Sequence, residues 1–255
     1  MNYTAALFLL LISSSAQAAT PEERGLEIAR MVHKTNEGFK GEKSELEMIL
    51  INAHGDRTVR RMASLIREVV GEGDKSRIEF QWPADVKGTR MLTWSHKASD
   101  DDQWLFLPAV KRVKRIASRN KSGSFMGSEF SYEDLGSPEI EKFKHKFLGD
   151  VTVNGRPCWR LERIPVDPTS GYSKEVTVID QGMMNPVSIE YYDRKGDLLK
   201  TGTFENYAQI SGYFRVQSIR MENHQTKKSS ILSWKSRELG VSLDDALFDS
   251  NELDG

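Results

Sequence analysis

Apolar and polar positions alternate along most of the chain, a pattern that is typical of β-strands. In the first half, strand-like runs such as SELEMILI, SRIEFQWP and QWLFLPA are separated by the turn sequences NAHGD, GEGD and ASDDD. The second half continues with KEVTVID, NPVSIEYYD and YFRVQSIRMEN, and with hairpin-like turns such as VNGR and RKGD. The pattern predicts about 10–11 strands in a mostly antiparallel, curved sheet or open barrel with a few helices.

Three segments break the alternation and predict helical turns. Near the N-terminus, Thr20 and Glu23 have the spacing of a capping box, and apolar residues follow at helical spacing. Between residues 118 and 146 there is no alternation, and Ser128 and Ser137 are candidate caps of short helices. The acidic C-terminal sequence LDDALFDSNELDG predicts one more helical turn.

The first 18 residues, MNYTAALFLLLISSSAQA, have the features of a secretory signal peptide. A short apolar core runs from Ala5 to Ile12, and Ala16-Gln17-Ala18 forms an A-x-A cleavage site, although the start carries no Lys or Arg. The alternative is a membrane anchor, but the apolar core has about eight residues where roughly 20 are needed to span. The sequence thus predicts a signal peptide over 1–18 and one exported domain over 19–255.

Charge and cysteine content narrow the function classes. A formal net charge of -1 among 255 residues argues against a general nucleic-acid binder, which would be strongly basic. The single cysteine, Cys158, lies in a strand-like run, where a small buried hydrophobe is the expected role rather than a nucleophile.

No recognisable active site occurs in the sequence. There is no G-x-S-x-G motif, and GEGDKS lacks the G-K-[ST] ending of a phosphate loop. No two of the five histidines have metal-ligand spacing: His33, His54, His96, His145 and His224. We therefore expect no enzyme activity, no cofactor and no metal site.

Aromatic residues in strand-like runs are the candidate ligand-binding groups. In QWLFLPA, Trp104, Phe106 and Pro108 share one face, whereas the two leucines and an alanine share the other. A strand that is apolar on both faces is either covered on both sides or lines a cavity. Trp82 and Trp94 lie in similar runs, and ordinary core packing is the alternative for each of these side chains.

A dense basic run follows that strand directly and precedes a Gly/Ser-rich segment, SGSFMGS. Pro108 lies between the strand and the basic run, and it marks the point where regular strand pairing is expected to end. A nucleic-acid site, a surface for anionic lipid and a solvated edge hairpin all fit such a run at first sight. Its basic side chains are Lys111, Arg112, Lys114 and Arg115.

The two neighbouring sequences WLFLPAVKRVKRI and SGSFMGSEFSYEDL resemble the signature of the LolA-like outer-membrane lipoprotein-sorting family, in particular its longer branch. NPVSIEYYDRKGDLLKT and LDDALF are similar to that branch as well, so the resemblance covers nearly the whole mature chain. It implies an α+β fold: a strongly curved antiparallel half-barrel whose concave face is plugged by short helices. An apolar cavity between sheet and helices would receive acyl chains.

The resemblance implies a periplasmic carrier that binds acyl chains of lipids or lipoproteins and delivers them toward the outer membrane. The implied partners are an inner-membrane exporter of RND or ABC type and a transiently contacted membrane, with no nucleic acid. The alternative is a periplasmic sensor or adaptor that binds a protein partner, such as a transporter or regulator domain, and uses the cavity as a switch.

Pattern and resemblance together predict a cavity wall and a lid of modest stability, hinged by the glycines that flank Phe125-Met126. The basic run would be a latch for the lid, a docking surface for anionic headgroups or an acidic partner, or a solvated edge. The predicted ligand-binding residues are Trp82, Trp94, Trp104, Phe106, Pro108, Phe125, Met126, Phe130 and Tyr132.

Overall fold

The computed structural model describes residues 18–254. Apart from Ala18, the predicted signal peptide lies outside the described residues, so its cleavage stays a prediction. Within residues 18–254 there are one α-helix, fifteen strands and six short 3₁₀ turns. The helix and strands are α1 (Pro21–Asn36), β1 (Gly41–Ile51), β2 (Arg57–Arg67), β3 (Lys75–Trp82), β4 (Arg90–Trp94), β5 (Asp102–Leu107), β6 (Arg112–Ile116), β7 (Phe143–Val153), β8 (Arg156–Pro165), β9 (Tyr172–Asp180), β10 (Asn185–Asp193), β11 (Leu198–Glu205), β12 (Ala208–Ile210), β13 (Tyr213–Arg215), β14 (Ser218–Asn223) and β15 (Ser229–Leu239).

Thirteen of the strands form one curved, unclosed antiparallel sheet, in the order β6-β5-β4-β3-β2-β1-β15-β14-β11-β10-β9-β8-β7. Two meanders, one from each half of the chain, meet where β1 pairs with β15. The remaining strands, β12 and β13, form a separate hairpin. The half-barrel class is confirmed, with more strands than the sequence predicted; the basic run, which forms β6, and the short hairpin of β12 and β13 account for three of them.

The sheet has two differently covered faces. Directly opposite residues of paired strands point to the same face, so the pairs Met62↔Phe80 and Met91↔Leu105 define one side, which we call the inner face. These four side chains are buried in the largest apolar cluster. The pair Leu92↔Trp104 defines the opposite side, the outer face.

Residues 117–142 connect the two edge strands β6 and β7 and lie over the inner face; we call them the crossing segment. Phe125 and Phe130 of this segment are buried in the inner-face cluster. The segment contains the predicted helical turns as 3₁₀ turns, including Tyr132–Leu135. The cap of that turn is Ser131 rather than Ser128, whose hydroxyl instead donates to the Phe125 carbonyl oxygen.

Helix α1 covers the inner face at the other end of the sheet. Its capping box is present, with Glu23 N donating to Thr20 Oγ1 at 3.2 Å. Ile28 is fully buried against β8 and β9. Gly25 permits the close approach to β7, because a Cβ there would lie 2.8 Å from the backbone nitrogen of Phe147.

The C-terminal residues cover the outer face of β4 and β5. Phe248 and Leu253 are buried against Leu92 and Phe106. The Trp94 indole donates to the Phe248 carbonyl oxygen at 2.8 Å. The predicted C-terminal helical turn is present at Asp245–Phe248. No helix in the described part of the chain is both long and apolar enough to cross a bilayer.

Candidate functional site

A cavity of about 1010 Å³ lies between α1, the inner face of β7–β10 and the end of the crossing segment. This volume is at the upper end of the range for small-molecule sites, which is about 300–1,000 Å³. Its apolar lining includes one residue of the helix and four from neighbouring strands of the sheet: Val32, Leu161, Ile179, Ile189 and Phe204. The cavity is therefore the main candidate for ligand binding.

A row of polar side chains crosses the inner face at one end of this cavity. Each residue pairs directly with the next on the neighbouring strand, from β7 to β14, so all of them point to the same face. We call this set the polar row, and it consists of His145, Arg163, Glu175, Tyr191, Lys200 and Asn223.

Arg163 and Glu175 form a largely buried ion pair within the polar row. Burial raises the pKa of the Glu175 carboxyl, and the neighbouring Arg163 guanidinium opposes that shift. The guanidinium carbon also lies 4.8 Å from the ring centre of Phe143. The guanidinium thus has a charged and an aromatic neighbour on the cavity floor.

Lys200 ties the crossing segment to the sheet. Its Nζ lies 2.6 Å from Asp134 Oδ2 and donates to the Glu129 carbonyl oxygen at 3.0 Å. The Tyr172 hydroxyl donates to the other Asp134 oxygen at 2.7 Å, and burial raises the pKa of that phenol well above its usual range. The Lys200 ammonium also lies 5.1 Å from the ring centre of Tyr191.

Further contacts hold the crossing segment on the β2–β5 side. Arg60 donates to the Met126 carbonyl oxygen, and the Gln103 amide donates to the Tyr132 carbonyl oxygen at 2.8 Å. The Phe125 ring centre lies 5.7 Å from that of Phe80 and the side chain is fully buried. The segment was expected to be a lid of modest stability, but Phe125 is part of the core.

Four residues that line the cavity each have a buried polar atom without a hydrogen-bond partner among residues 18–254: Glu139 Oε2, His145 Nδ1, Arg163 Nε and Thr177 Oγ1. The other nitrogen of His145, Nε2, lies 2.9 Å from the Ile140 carbonyl oxygen. Burial lowers the pKa of His145 and raises the pKa of Glu139.

Acidic residues also line the cavity. Burial raises the pKa of Asp74 to about 7, and the carboxylates of Glu139 and Glu68 add to the shift. His33 at the end of α1 opposes it. In the whole lining, carboxylates outnumber Lys and Arg side chains about two to one.

The structure separates the predicted ligand-binding residues into two groups. Phe125, Met126, Phe130 and Tyr132 lie together on the inner face but border the β2–β5 side rather than the cavity beside α1. Trp94, Trp104 and Phe106 lie on the outer face beneath the C-terminal residues. Contact of these side chains with a ligand stays untested.

Trp82 and Pro108 lie apart from both groups. Trp82 is 48% exposed, and the guanidinium of Arg61 lies 5.7 Å from its ring centre. Pro108 begins a 3₁₀ turn over Pro108–Val110, at the point where β5 ends. Regular pairing therefore stops where the sequence predicted that it would.

The basic run forms β6 and the turn before it, at an edge of the sheet. Lys111, Arg112, Lys114 and Arg115 are all exposed, and Arg115 forms an ion pair with Asp102. Within the described range, no hydrogen bond joins these four side chains to the crossing segment. From the sheet, Arg60 and Lys200 donate to carbonyl oxygens of that segment.

Sequence reasoning missed the cavity-lining polar residues, although the strands carried a signal for them. In FKHKF, side chains alternate between the two faces of the sheet. His145 points to the same face as the two inward phenylalanines, and the two lysines point to the other face. In the same way, Arg163 follows Leu161, and Glu175 and Thr177 precede Ile179, at intervals of two residues. A polar residue in an inward phase marks a buried polar site.

Two further findings concern metal ligands and the single cysteine. Within residues 18–254, no three His, Cys, Asp or Glu side chains are grouped so that they could hold a metal ion. Cys158 is fully buried, and burial raises the pKa of its thiol. This agrees with the structural role that the sequence predicted for it.

Comparison with known proteins supports the fold assignment. A family model described as "Uncharacterized protein" matches residues 72–254. A Vibrio parahaemolyticus domain named for outer membrane lipoprotein sorting superposes with a TM-score of 0.90 at 47% identity, over 92% of this chain and 100% of that domain. Among curated proteins, none matches the chain.

Two more solved structures share the fold. A DUF1329 family protein from Desulfovibrio piger is 29% identical, with a TM-score of 0.88 over 92% of this chain and 100% of its own. A LolA superfamily protein from Nitrosomonas europaea is 20% identical, with a TM-score of 0.72 over 92% and 99%. The fold thus defines a LolA-like half-barrel. The chain belongs to the outer membrane lipoprotein-sorting family of the Vibrio domain, which confirms the resemblance seen in the sequence.

Proposed function

We propose that this protein is a periplasmic carrier that binds acyl chains of lipids or lipoproteins in the cavity beside α1 and delivers them toward the outer membrane. Two observations support the proposal: the cavity of about 1010 Å³ on the inner face and membership of the lipoprotein-sorting family. We further propose that residues 1–18 are removed on export and that residues 19–255 act as one domain without enzyme activity.

The energy available in the cavity is sufficient for such a ligand. Burial of a methylene contributes roughly 0.8 kcal/mol, so a 16-carbon chain offers on the order of 10 kcal/mol before ordering costs. Those costs remove several kcal/mol, which leaves affinity in roughly the micromolar range. Release is then feasible without a catalytic group.

The two halves of the inner face would have different tasks. The crossing segment fills the β2–β5 side with its own Phe125 and Phe130, so the β7–β10 side remains for the ligand. Phe125, Met126, Phe130 and Tyr132 would then act as a fixed wall rather than a freely swinging lid.

A cavity-filling variant on α1 tests this function directly. Val32 lines the cavity and is half-buried, whereas Arg30 on the same helix is exposed and not part of the lining. We expect Val32→Trp to weaken binding of a fluorescent 16-carbon fatty-acid probe at least tenfold, and Arg30→Trp to leave it unchanged. Mass spectrometry of organic extracts from the purified protein should find acylated molecules. Parent-like probe affinity in Val32→Trp, or extracts without acyl groups together with no probe binding, would contradict the proposal.

The exposed basic edge strand supports a second part of the proposal, namely that this strand docks the protein to a membrane. Its four cations would approach anionic headgroups of a membrane during transfer, and an exporter of RND or ABC type would supply the cargo. A stable complex with a periplasmic protein domain, formed without any lipid transfer, would instead favour the sensor or adaptor function.

A further inference from the structure

Two exposed apolar side chains lie at the same end of the sheet. Trp82 ends β3 and is 48% exposed, and Val110, in the 3₁₀ turn after β5, is 64% exposed. Among residues 18–254, Trp82 is also the one aromatic residue in the group of exposed large apolar side chains. A single exposed apolar residue is common on soluble proteins, so the surroundings decide whether it has a task.

The turns that carry these two side chains are neighbours. Residues 83–89 join β3 to β4, and residues 108–111 join β5 to β6. Only β4 lies between β3 and β5, so these two strands are roughly 10 Å apart. The turns also approach each other directly, because a Cβ at Gly88 would lie 3.2 Å from Pro108 Cγ. The two apolar side chains therefore flank one pair of closely spaced turns.

Hydrogen bonds and packing hold the backbone of both turns in place. The Gly88 nitrogen donates to the Phe80 carbonyl oxygen at 2.8 Å. In the second turn, the Lys111 nitrogen donates to the Pro108 carbonyl oxygen at 3.1 Å. Val86 is buried in the inner-face cluster and anchors the first turn to the core. The exposed side chains thus extend from turns that the fold itself positions.

Four exposed cations accompany the two apolar side chains. The guanidinium carbon of Arg61 lies 5.7 Å from the ring centre of Trp82, and the other three cations lie in or beside the two turns. Within residues 18–254, none of the four forms an ion pair with a carboxylate. Asp85 is the single carboxylate in the sequence of the two turns. The four cations are Arg61, Lys87, Lys111 and Arg112.

An anionic membrane fits both features of this surface. An indole prefers the headgroup region of a bilayer, because its ring is apolar and its N–H is a hydrogen-bond donor. Cations without a carboxylate partner can contact lipid phosphates and break no existing ion pair. Peripheral proteins hold anionic bilayers with the same combination, an apolar anchor beside basic residues. A nucleic acid, with its phosphates outward, offers no apolar layer for such an anchor.

We infer that the turns at 83–89 and 108–111 dock on an anionic bilayer, with Trp82 and Val110 entering the headgroup region while the four cations contact lipid phosphates. The inference rests on the membrane docking proposed above and adds an apolar anchor beside the basic edge strand. Salt distinguishes the two contributions, because it screens the charges and leaves the apolar anchor unaffected.

Serine variants measure the apolar anchor without a change of charge. We expect Trp82→Ser/Val110→Ser to weaken binding to vesicles of equal parts phosphatidylglycerol and phosphatidylcholine about tenfold, because two apolar side chains no longer leave water on binding. Leu148→Ser is the matched control and should keep the parent affinity, since Leu148 is 42% exposed on β7, at the opposite edge of the sheet. Melting curves should show that all variants fold.

Fluorescence quenching tests whether Trp82 itself enters the bilayer. On vesicles whose acyl chains carry bromine, we expect the parent to lose more tryptophan emission than Trp82→Phe, because bromine quenches only indoles that come close to it. The phenylalanine keeps an aromatic anchor, so both proteins should be compared at the same bound fraction. All other tryptophans are common to the two proteins.

The outcomes separate this inference from the carrier function. No binding of the parent to the anionic vesicles, or parent-like binding of the double serine variant, overturns the inference. An equal loss in Leu148→Ser, or equal quenching of the parent and Trp82→Phe, also overturns it. So does parent binding to soluble polyglutamate as tight as to the vesicles, which would assign the surface to an acidic protein partner.

The fluorescent fatty-acid probe, measured without vesicles, reports the carrier function by itself. The parent and the double serine variant should bind it equally, because neither Trp82 nor Val110 lines the cavity. If the parent does not bind the probe, the carrier function fails whatever the vesicles show. If the double variant loses probe binding and keeps vesicle binding, the inference is overturned and the carrier function stands.

Discussion

Lys200 on β11 and Asp134 on the crossing segment form an ion pair with an Nζ–Oδ2 distance of 2.6 Å, and their side chains are only 4% and 5% exposed. The pair lies beside the rings of Tyr172 and Tyr191. It therefore joins the segment to the sheet in surroundings where neither charge reaches water.

Removal of the cation should destabilise the fold strongly. Lys200→Met leaves the Asp134 carboxylate buried without its main partner, and we expect the free energy of unfolding to fall by about 3 kcal/mol. Urea denaturation followed by tryptophan fluorescence measures the change. Lys195→Met is the control, because Lys195 is exposed on the neighbouring turn and its replacement should be nearly neutral. A Lys200→Met midpoint equal to that of the parent would refute the stabilising role of the pair.

Phe125 and Met126, neighbours in sequence, should differ sharply in their contribution to stability. Phe125 is fully buried against Phe80, whereas Met126 is only half-buried. We expect Phe125→Ala to lower the free energy of unfolding by about 3–5 kcal/mol, as in other cores, and Met126→Ala by about 1 kcal/mol. Similar small losses in both variants would support the lid of modest stability that the sequence predicted.

Asp74 should make stability depend on pH near neutrality. Its folded pKa of about 7 lies above its ordinary value of 3.8, so the folded state binds the proton more tightly than the unfolded state does. Asp74 consequently favours the fold below about pH 4, and this contribution is lost as the pH rises toward 7. Because Asp74 is only partly shielded from water, we expect Asp74→Asn to gain about 1–2 kcal/mol over the parent at pH 8.

The difference in stability between the parent and Asp74→Asn isolates the pH dependence of Asp74 from that of its neighbours. His145, whose pKa is lowered by burial, has the opposite dependence, and Glu139 has the same dependence as Asp74. Both contributions are common to the two proteins. The difference between their denaturation midpoints should therefore be larger at pH 8 than at pH 5. Parallel pH curves would show that Asp74 ionises normally in the folded protein.

The basic edge should bind anionic membranes through charge alone. A Lys or Arg near an anionic surface contributes about 1 kcal/mol, so Arg112→Gln/Arg115→Gln should weaken binding to phosphatidylglycerol-containing vesicles by tenfold or more. Added salt should weaken the parent and scarcely change the variant. The control is Arg57→Gln/Arg220→Gln, which changes two exposed arginines elsewhere. If vesicle binding persists while the affinity for the fatty-acid probe changes, the run is a latch; if neither changes, it is a solvated edge.

The alternation of apolar and polar residues predicted the sheet because the two strands of each hairpin are neighbours in the sequence. It did not predict the pairing of β1 with β15, in which Glu42 lies opposite Leu239, because no local pattern encodes contacts over such a separation. Alternation also showed that Trp104 and Leu105 face opposite sides, but not which side is inner. The C-terminal residues that cover Trp104 make both sides apolar, which removes the usual clue.

The cavity was harder to predict from the sequence than the sheet was. Leu161 and Ile179 look like ordinary core positions, and only the helix and the crossing segment leave a space above them. His145 and Thr177 occupy inward phases of their strands, yet a single polar residue there is equally consistent with a bulge or an edge. The register across β7–β9 was needed to bring them together.

The junction of β1 and β15 has a consequence for the order in which the molecule is assembled. The middle of the thirteen-stranded sheet is built from two strands that lie far apart in the sequence, so it is completed only when the two meanders meet. Contacts of such long sequence separation form slowly. Until then, each meander presents an unpaired strand that can associate with another molecule. The newly made chain therefore has a vulnerable period that ends only when its last strand is in place.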